Sequence, residues 1–364
     1  MTGRALLLTP SRGRGGGIER YAETLEWAFA SQGVECRRID LHGSGPAAHA
    51  RLLAQARGQL RAGDGPARLV VAHRALLPAA SLLACGRPGC GISLVCHGID
   101  VWVAGSRARR LGENHLMRRP RVRVVAVSSY TAGVLSAGRT RATILPPGLS
   151  RQWFDTLVRA SVIASRNPES GNTESGSTGP RGDGIRLATA FRLTEWRNKG
   201  LPQLLAAVAD LGRPDVRVTV CGSGEPPPDL RRLVGESGCC TLRPGLTDSE
   251  LAAELAAADL FVLATRTRSG RQPSGEGFGL VLLEAQVAGT PVIAPAYGGS
   301  HDAFIDQVTG VSPEDETTES LTKIVREMIK DPVRLEQMGL SAGEWARECY
   351  APEIYASRVV ARLL

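Results

Sequence analysis

Short runs of consecutive apolar residues recur along this chain, and between them lie stretches whose apolar positions return every three or four residues. That alternation predicts parallel strands joined by helical crossovers, because a strand buried on both faces reads as a continuous apolar run. The expected class is α/β. In the first half, strands are predicted over 5–9, 34–40, 69–73, 92–97, 122–128 and 142–145, with a helix over 18–32. The rhythm restarts at Ile185 with strands over 185–189, 216–221, 260–264 and 291–295. Helices over 319–330, 332–347 and 352–364 close the chain.

Residues 161–184 interrupt this pattern with mostly Ser, Gly, Asn and Thr, which offer little to bury and read as a linker or insertion. The 364 residues therefore divide into an N-terminal domain over 1–160, the linker, and a second domain over 185–349. A last amphipathic helix over 350–364 is expected to pack back on the first domain. Two α/β domains around a linker imply a cleft in which loops after strands face one ligand.

Composition narrows the class. Hydrophobic residues are 43% and charged residues 22%, the balance of a soluble globular protein. No apolar stretch approaches the roughly 20 residues of a membrane span, and Ala5 to Leu8 is too short for a signal-peptide core, so a cytoplasmic protein is expected. The eight cysteines show no zinc spacing and no CxxC; they read as reduced thiols, with Cys239-Cys240 structural.

Charge is uneven. Residues 1–150 hold 21 Arg and no Lys against 8 Asp and Glu, a net of +13, which leaves −5 for the rest of a chain whose sum is +8. Its densest run, Arg107, Arg109, Arg110, Arg118, Arg119, Arg121 and Arg123, suits peripheral contact with an anionic inner-membrane surface or an anionic acceptor, or a solvated face. With aromatics at 4% and no reading module, nucleic acid is not an expected partner.

Candidate chemistry lies in loops after strands. Glu276 and Glu284 stand eight positions apart, the first in a glycine-rich loop and the second on an apolar helix. Helical rise puts them roughly 12 Å or less apart, the reach of a nucleotide sugar from ribose to hexose. Ionised carboxylates accept paired hydroxyl donors, and the glycines between them leave N–H groups at a helix N-terminus for a diphosphate. Arg192 and Lys199, after the first strand of the second domain, are a fork and a point charge suited to the same diphosphate. Gly222 and Gly224 would admit backbone close to a nucleotide, and Arg266 either braces the loop before Glu276 or is solvated. The cluster Glu314, Asp315 and Glu316 reads as solvated; no DxD motif is present and no metal or cofactor is expected beyond the nucleotide sugar itself.

The run from Glu276 to Pro291, with Gly298-Gly299 and Thr309-Gly310, resembles the C-terminal signature of retaining glycosyltransferases of family 4, which adopt the GT-B fold of two Rossmann-like domains. The Arg192 to Lys199 segment resembles that family's diphosphate motif. The resemblance is strong over 185–312 and looser before it. It implies that Glu284 binds the donor ribose and Glu276 the hexose hydroxyls. Backbone of Gly277, Phe278, Gly279 and Leu280 would meet the sugar and phosphates, while Arg192 and Lys199 offset charge on the leaving diphosphate. Gly13, Gly15, Gly16 and Gly17 resemble the family's loop after the first strand, and His97-Gly98 its segment at the reaction centre. Where the family has Gly-Gly-x-Pro-Glu this chain reads Gly298-Gly299-Ser300-His301-Asp302, which puts the local turn geometry in question.

The implied function is transfer of a hexose or amino-hexose from a nucleoside-diphosphate sugar to an acceptor hydroxyl with retention. A nucleotide-sugar 2-epimerase on the same fold would need additional carboxylates. A non-catalytic nucleotide-sugar binder has no reason to keep both the acidic and the basic pair.

Overall fold

Strands buried on both faces need apolar residues at successive positions, and the first strand supplies them: Leu6, Leu7 and Leu8 are all buried. In a computed structural model the described residues are 4–10, 17–62, 67–87, 89–98, 107–166, 184–268 and 274–364. Gly13, Gly15 and Gly16, the residues after Gly98 in the His-Gly segment, and 167–183 of the linker lie outside them. Contacts divide the chain into two units, Met1–Ser150 with Arg268–Phe278 and Pro352–Leu364, and Arg151–Thr267 with Gly279–Ala351.

In the first unit, β1 (Arg4–Pro10), β2 (Glu35–Leu41), β3 (Ala67–Val71), β4 (Gly91–Cys96), β5 (Val122–Ala126) and β6 (Thr143–Ile144) pair in parallel in the order β2-β1-β3-β4-β5-β6. Leu6, Leu8, Leu69, Val71, Ile92, Leu94 and Val124 pack in one cluster, while the intervening Leu7, Val70, Val95 and Val125 are equally buried. The two-residue side-chain period sends these sets to opposite faces, so helices are needed on both. Those of this unit are α1 (Gly17–Ser31), α2 (Pro46–Ala62), α3 (Leu77–Ala84), α4 (Arg107–Met117), α5 (Ser129–Ala137) and, from the far end of the chain, Pro352–Leu363. The last of these contacts α1, and its Tyr355 ring lies so close to Gly148 that a Cβ there would come within 2.4 Å of it.

The second unit repeats the plan. Strands β7 (Ile185–Ala190), β8 (Val216–Gly222), β9 (Cys240–Pro244), β10 (Leu260–Val262), β11 (Val292–Ile293) and β12 (Gly310–Val311) form a parallel sheet in the order β12-β11-β10-β7-β8-β9. Its helices are α6 (Arg151–Arg166), α7 (Leu201–Asp210), α8 (Pro228–Ser237), α9 (Asp248–Ala257), α10 (Leu280–Val287), α11 (Thr318–Ile329) and α12 (Pro332–Cys349), so that Pro352–Leu363 is α13. Start signals are local. Thr247 and Glu250 form a capping box at α9, Thr317 accepts the Ser320 N–H at α11, and Asp331 precedes Pro332 at α12. The order of this sheet reverses between β7 and β10, which makes the loops after those two strands its crevice-forming pair.

The structure differs from the sequence boundaries in places that packing explains. Residues 161–166 are the last turns of α6 rather than linker, because Ser161 receives a hydrogen bond of 2.7 Å from Arg347. The segment Arg268–Phe278 groups with the first unit, where Gly277 meets Gly98. Strand β9 is an edge strand with no fully buried residue, so it lacks an apolar run, and β12 is only two residues long.

All eight cysteines are free thiols. Burial, reinforced by Glu254, pushes Cys221 up to about 12, and burial first does the same to Cys36 and Cys240. Cys85 alone is exposed. Since the thiolate is the nucleophile, iodoacetamide at pH 8 is expected to modify Cys85 first and to spare Cys36, Cys221 and Cys240 in the native chain. Peptide mapping after a short labelling pulse checks this.

Candidate functional site

The first unit brings two distant segments together. His97 follows β4, half-buried, with its Nε2 3.1 Å from the Ala72 carbonyl and its ring edge-on to Tyr21 at 5.1 Å. A carbonyl can only accept, so Nε2 carries the proton, and any proton taken by this ring must arrive at Nδ1. Beside it, a Cβ on Gly277 would lie 2.5 Å from the Gly98 nitrogen and 2.8 Å from its Cα. Only glycine permits backbones this close. The Glu276 loop and the His97 loop are thereby fixed to each other, and a bridge between Arg268 and Ser274 holds the base of the former. Glu276 and Gly277 are half-buried, and Phe278 is buried at the end of the loop. Gly17 is the first residue of α1 and exposed.

The second unit assembles the loops after β7 and β10. Gly200 adopts φ 72°, and a Cβ there would fall 1.9 Å from the Ala264 carbonyl oxygen, so the two crevice loops touch at this point. The Arg266 N–H donates to the Asn198 carbonyl at 2.9 Å, and Glu316 accepts the Thr267 N–H at 2.7 Å. Glu316 also faces Arg266 at 4.0 Å with its side chain only 15% exposed. Arg266 therefore braces the loop, and the acidic cluster is not simply solvated: Asp315 accepts the Thr317 N–H, and Glu314 pairs with Lys323.

Arg192 closes an ion pair of 3.0 Å with Glu195 on the short 3-10 turn after β7, a partner that the sequence did not reveal. Arg197 instead lies over Trp196 and reaches Asp229. Lys199 is half-buried beside Gly200, its N–H bonded to the Glu195 carbonyl. Gly222 is explained by packing: a Cβ would sit 2.2 Å from the Phe191 carbonyl oxygen, where Leu193 N–H also reaches the Ser223 carbonyl.

Helix α10 carries the second carboxylate. Gly279, at φ 82° and ψ 61°, turns the chain into Leu280, and that left-handed entry favours glycine. Glu284 is 5% exposed and accepts a hydrogen bond of 2.9 Å from the indole N–H of Trp153, itself 5% exposed on α6. At its other end, Arg347 donates to the Val287 carbonyl at 2.9 and 3.1 Å and to Ser161. The helix is thus clamped by α6 and α12, and Trp153 is the residue that sequence reasoning missed. Trp153→Phe keeps the ring and removes the donor, so it is expected to cost about 1.5–3 kcal/mol, the usual contribution of a hydrogen bond to a charged acceptor. Chemical denaturation of the variant measures it.

Two parallel six-stranded sheets, each flanked by helices, define an α/β protein built of two Rossmann-like units. Solved structures share this fold. Sucrose-phosphate synthase of Thermosynechococcus elongatus matches with a TM-score of 0.76 at 18% identity, over 99% of this chain and 98% of that one. Anabaena HepE in complex with UDP matches at 0.73 and 15%, over 98% of both chains. The fold is GT-B.

Residues 175–345 match the model of glycosyl transferases group 1. Over 156 residues the chain is 35% identical to the GDP-mannose-dependent monoacylated alpha-(1-6)-phosphatidylinositol monomannoside mannosyltransferase of Corynebacterium glutamicum, covering 41% of this chain and 39% of that protein. It is 30% identical over 264 residues to the GDP-mannose-dependent alpha-(1-6)-phosphatidylinositol monomannoside mannosyltransferase of Mycobacterium tuberculosis H37Rv, covering 68% of this chain and 63% of the relative. A D-inositol 3-phosphate glycosyltransferase of Segniliparus rotundus is 34% identical over 266 residues, 68% of this chain and 54% of that one. The chain thus spans between 39% and 63% of the length of these relatives. The similarity to glycosyl transferases group 1 thus lies over residues 175–345.

Proposed function

We propose that this chain is a retaining glycosyltransferase that moves a hexose or amino-hexose from a nucleoside-diphosphate sugar to an acceptor hydroxyl. The observation that carries the reading is the close approach of Gly277 to Gly98, which joins the backbones bearing Glu276 and His97. The family resemblance implies one reaction centre for those two residues, although they stand nearly half the chain apart. In this reading Glu276 holds hexose hydroxyls and Glu284, oriented by Trp153, holds the ribose. Arg192 and Lys199 offset the charge that grows on the departing diphosphate, and Arg192 exchanges Glu195 for phosphate when the donor binds. Departure and attack share one face of the sugar, with a donor phosphate oxygen taking the acceptor's proton. His97 then contributes by position and by Nδ1 alone.

The names of the relatives support a mannose donor carried by GDP and an acceptor bearing phosphoinositol, free or lipid-linked. The basic first unit suits such an anionic acceptor. Among the described residues no helix is long and apolar enough to cross a membrane. The test is release of GDP, UDP, ADP or TDP from matched sugar donors, with and without inositol phosphate and phosphatidylinositol, followed by NMR of the product anomer. Acceptor-dependent release with a retained anomer supports the reading. An inverted product, or an epimerised donor formed without acceptor, refutes it.

A further inference from the structure

The candidate loops of the first sheet follow the C-terminal ends of its strands, yet this unit also has a cavity at the N-terminal ends of its central strands. A space of about 530 Å³ opens where β3, β4 and β5 begin, lined by Arg68, Arg121 and Arg123 together with Cys90, Gly91 and Val122. None of the three arginines forms an ion pair among the described residues. Each guanidinium brings a full positive charge and five donors, so their gathering is costly unless something anionic joins them. That cost is visible at Arg68, whose basicity is lowered by burial and then by the neighbouring Arg123.

Two of the three are held in place. Arg68 Nε donates to Ser93 Oγ at 3.0 Å, Ser93 in turn donates to the Leu363 carbonyl at 2.7 Å, and Arg123 donates to the Arg362 carbonyl at 3.1 Å. The last carbonyls of α13 are satisfied this way, which accounts for one donor on each of these arginines. It does not account for Arg121, which is exposed and makes no side-chain hydrogen bond among the described residues. Gly91 completes the arrangement, because a Cβ there would lie 2.3 Å from Arg68 Nη1 and displace the guanidinium.

We propose that this cavity is an anion site for a phosphate group, separate from the donor diphosphate, in which Arg121 and Arg123 close on a ligand that Arg68 meets from below. Phosphate fits because planar guanidinium forks bind its oxygens in pairs. The group can arrive as a soluble phosphate or as a phospholipid headgroup, since the chemistry is shared.

Isothermal titration of the full chain with inorganic pyrophosphate, in the presence of saturating GDP, tests the site. Arg121→Ala, a change at an exposed position, is expected to weaken this binding at least tenfold, and Arg121→Glu to abolish it, while GDP binding stays as it was. Sedimentation with phosphatidylglycerol vesicles forms the second arm. Vesicle binding that falls on Arg121→Ala and is competed by pyrophosphate identifies a headgroup as the source, whereas pyrophosphate binding without vesicle binding identifies a soluble phosphate. Either result supports the site. Pyrophosphate and vesicle binding that ignore both substitutions, or no binding of either probe to the native chain, overturns it.

Discussion

Glu276→Gln is expected to lower kcat by roughly a hundredfold and to raise the donor KM by a smaller factor, about threefold, the pattern left when a contact with the sugar tightens between the ground state and the transition state. An amide replaces an acceptor-only carboxylate with one acceptor and one donor, so paired sugar hydroxyls lose half of their partner. The loop itself should survive, because its position is set by the backbone contact of Gly277 with Gly98 and by the Arg268–Ser274 bridge. Glu284→Gln should behave differently. It keeps an oxygen to accept from Trp153 and raises donor KM about tenfold, the equivalent of one hydrogen bond to a charged group. Steady-state kinetics over a donor series distinguishes the two, and equal effects on kcat and KM in both variants would remove the division of roles.

Gly200→Ala is expected to be among the most damaging substitutions for folding. The position combines φ 72° with a virtual Cβ 1.9 Å from a backbone oxygen of Ala264. The left-handed conformation alone costs an alanine about 1–2 kcal/mol. The clash adds to this because neither backbone can retreat without breaking the Arg266–Asn198 hydrogen bond. A total of at least about 3 kcal/mol would lower the melting temperature of a unit this size by roughly 6–12 °C. Calorimetry measures it, and a variant that melts with the native chain would show that the crevice loops do not meet there.

The strands that the pattern makes legible are those with a run of apolar residues buried on both faces, as in β1, β3 and β4. Strand β9 stayed hidden because an edge strand with polar and half-buried positions carries no such run. Candidate site residues are readable where local chemistry repeats, as in the glycines around Glu276 and the basic residues after β7. What could not be read was tertiary pairing. Trp153 precedes a low-complexity segment, and nothing in its neighbours announces a hydrogen bond to a carboxylate 131 positions away. Nothing in the sequence marks Glu195 as the partner of Arg192, yet the two pair at 3.0 Å. Gly277 and Gly98 each read as loop glycines; that they need each other follows only from the fold.

The central claim is that the two carboxylates hold opposite ends of one donor. Titration calorimetry with GDP and with GDP-mannose, on the native chain and on Glu276→Gln and Glu284→Gln, tests it most directly. Glu284→Gln should weaken both ligands by about the same factor, because both contain the ribose. Glu276→Gln should leave GDP unchanged and weaken only the sugar-bearing donor. Loss of GDP affinity in Glu276→Gln, or full GDP affinity in Glu284→Gln, would contradict the account.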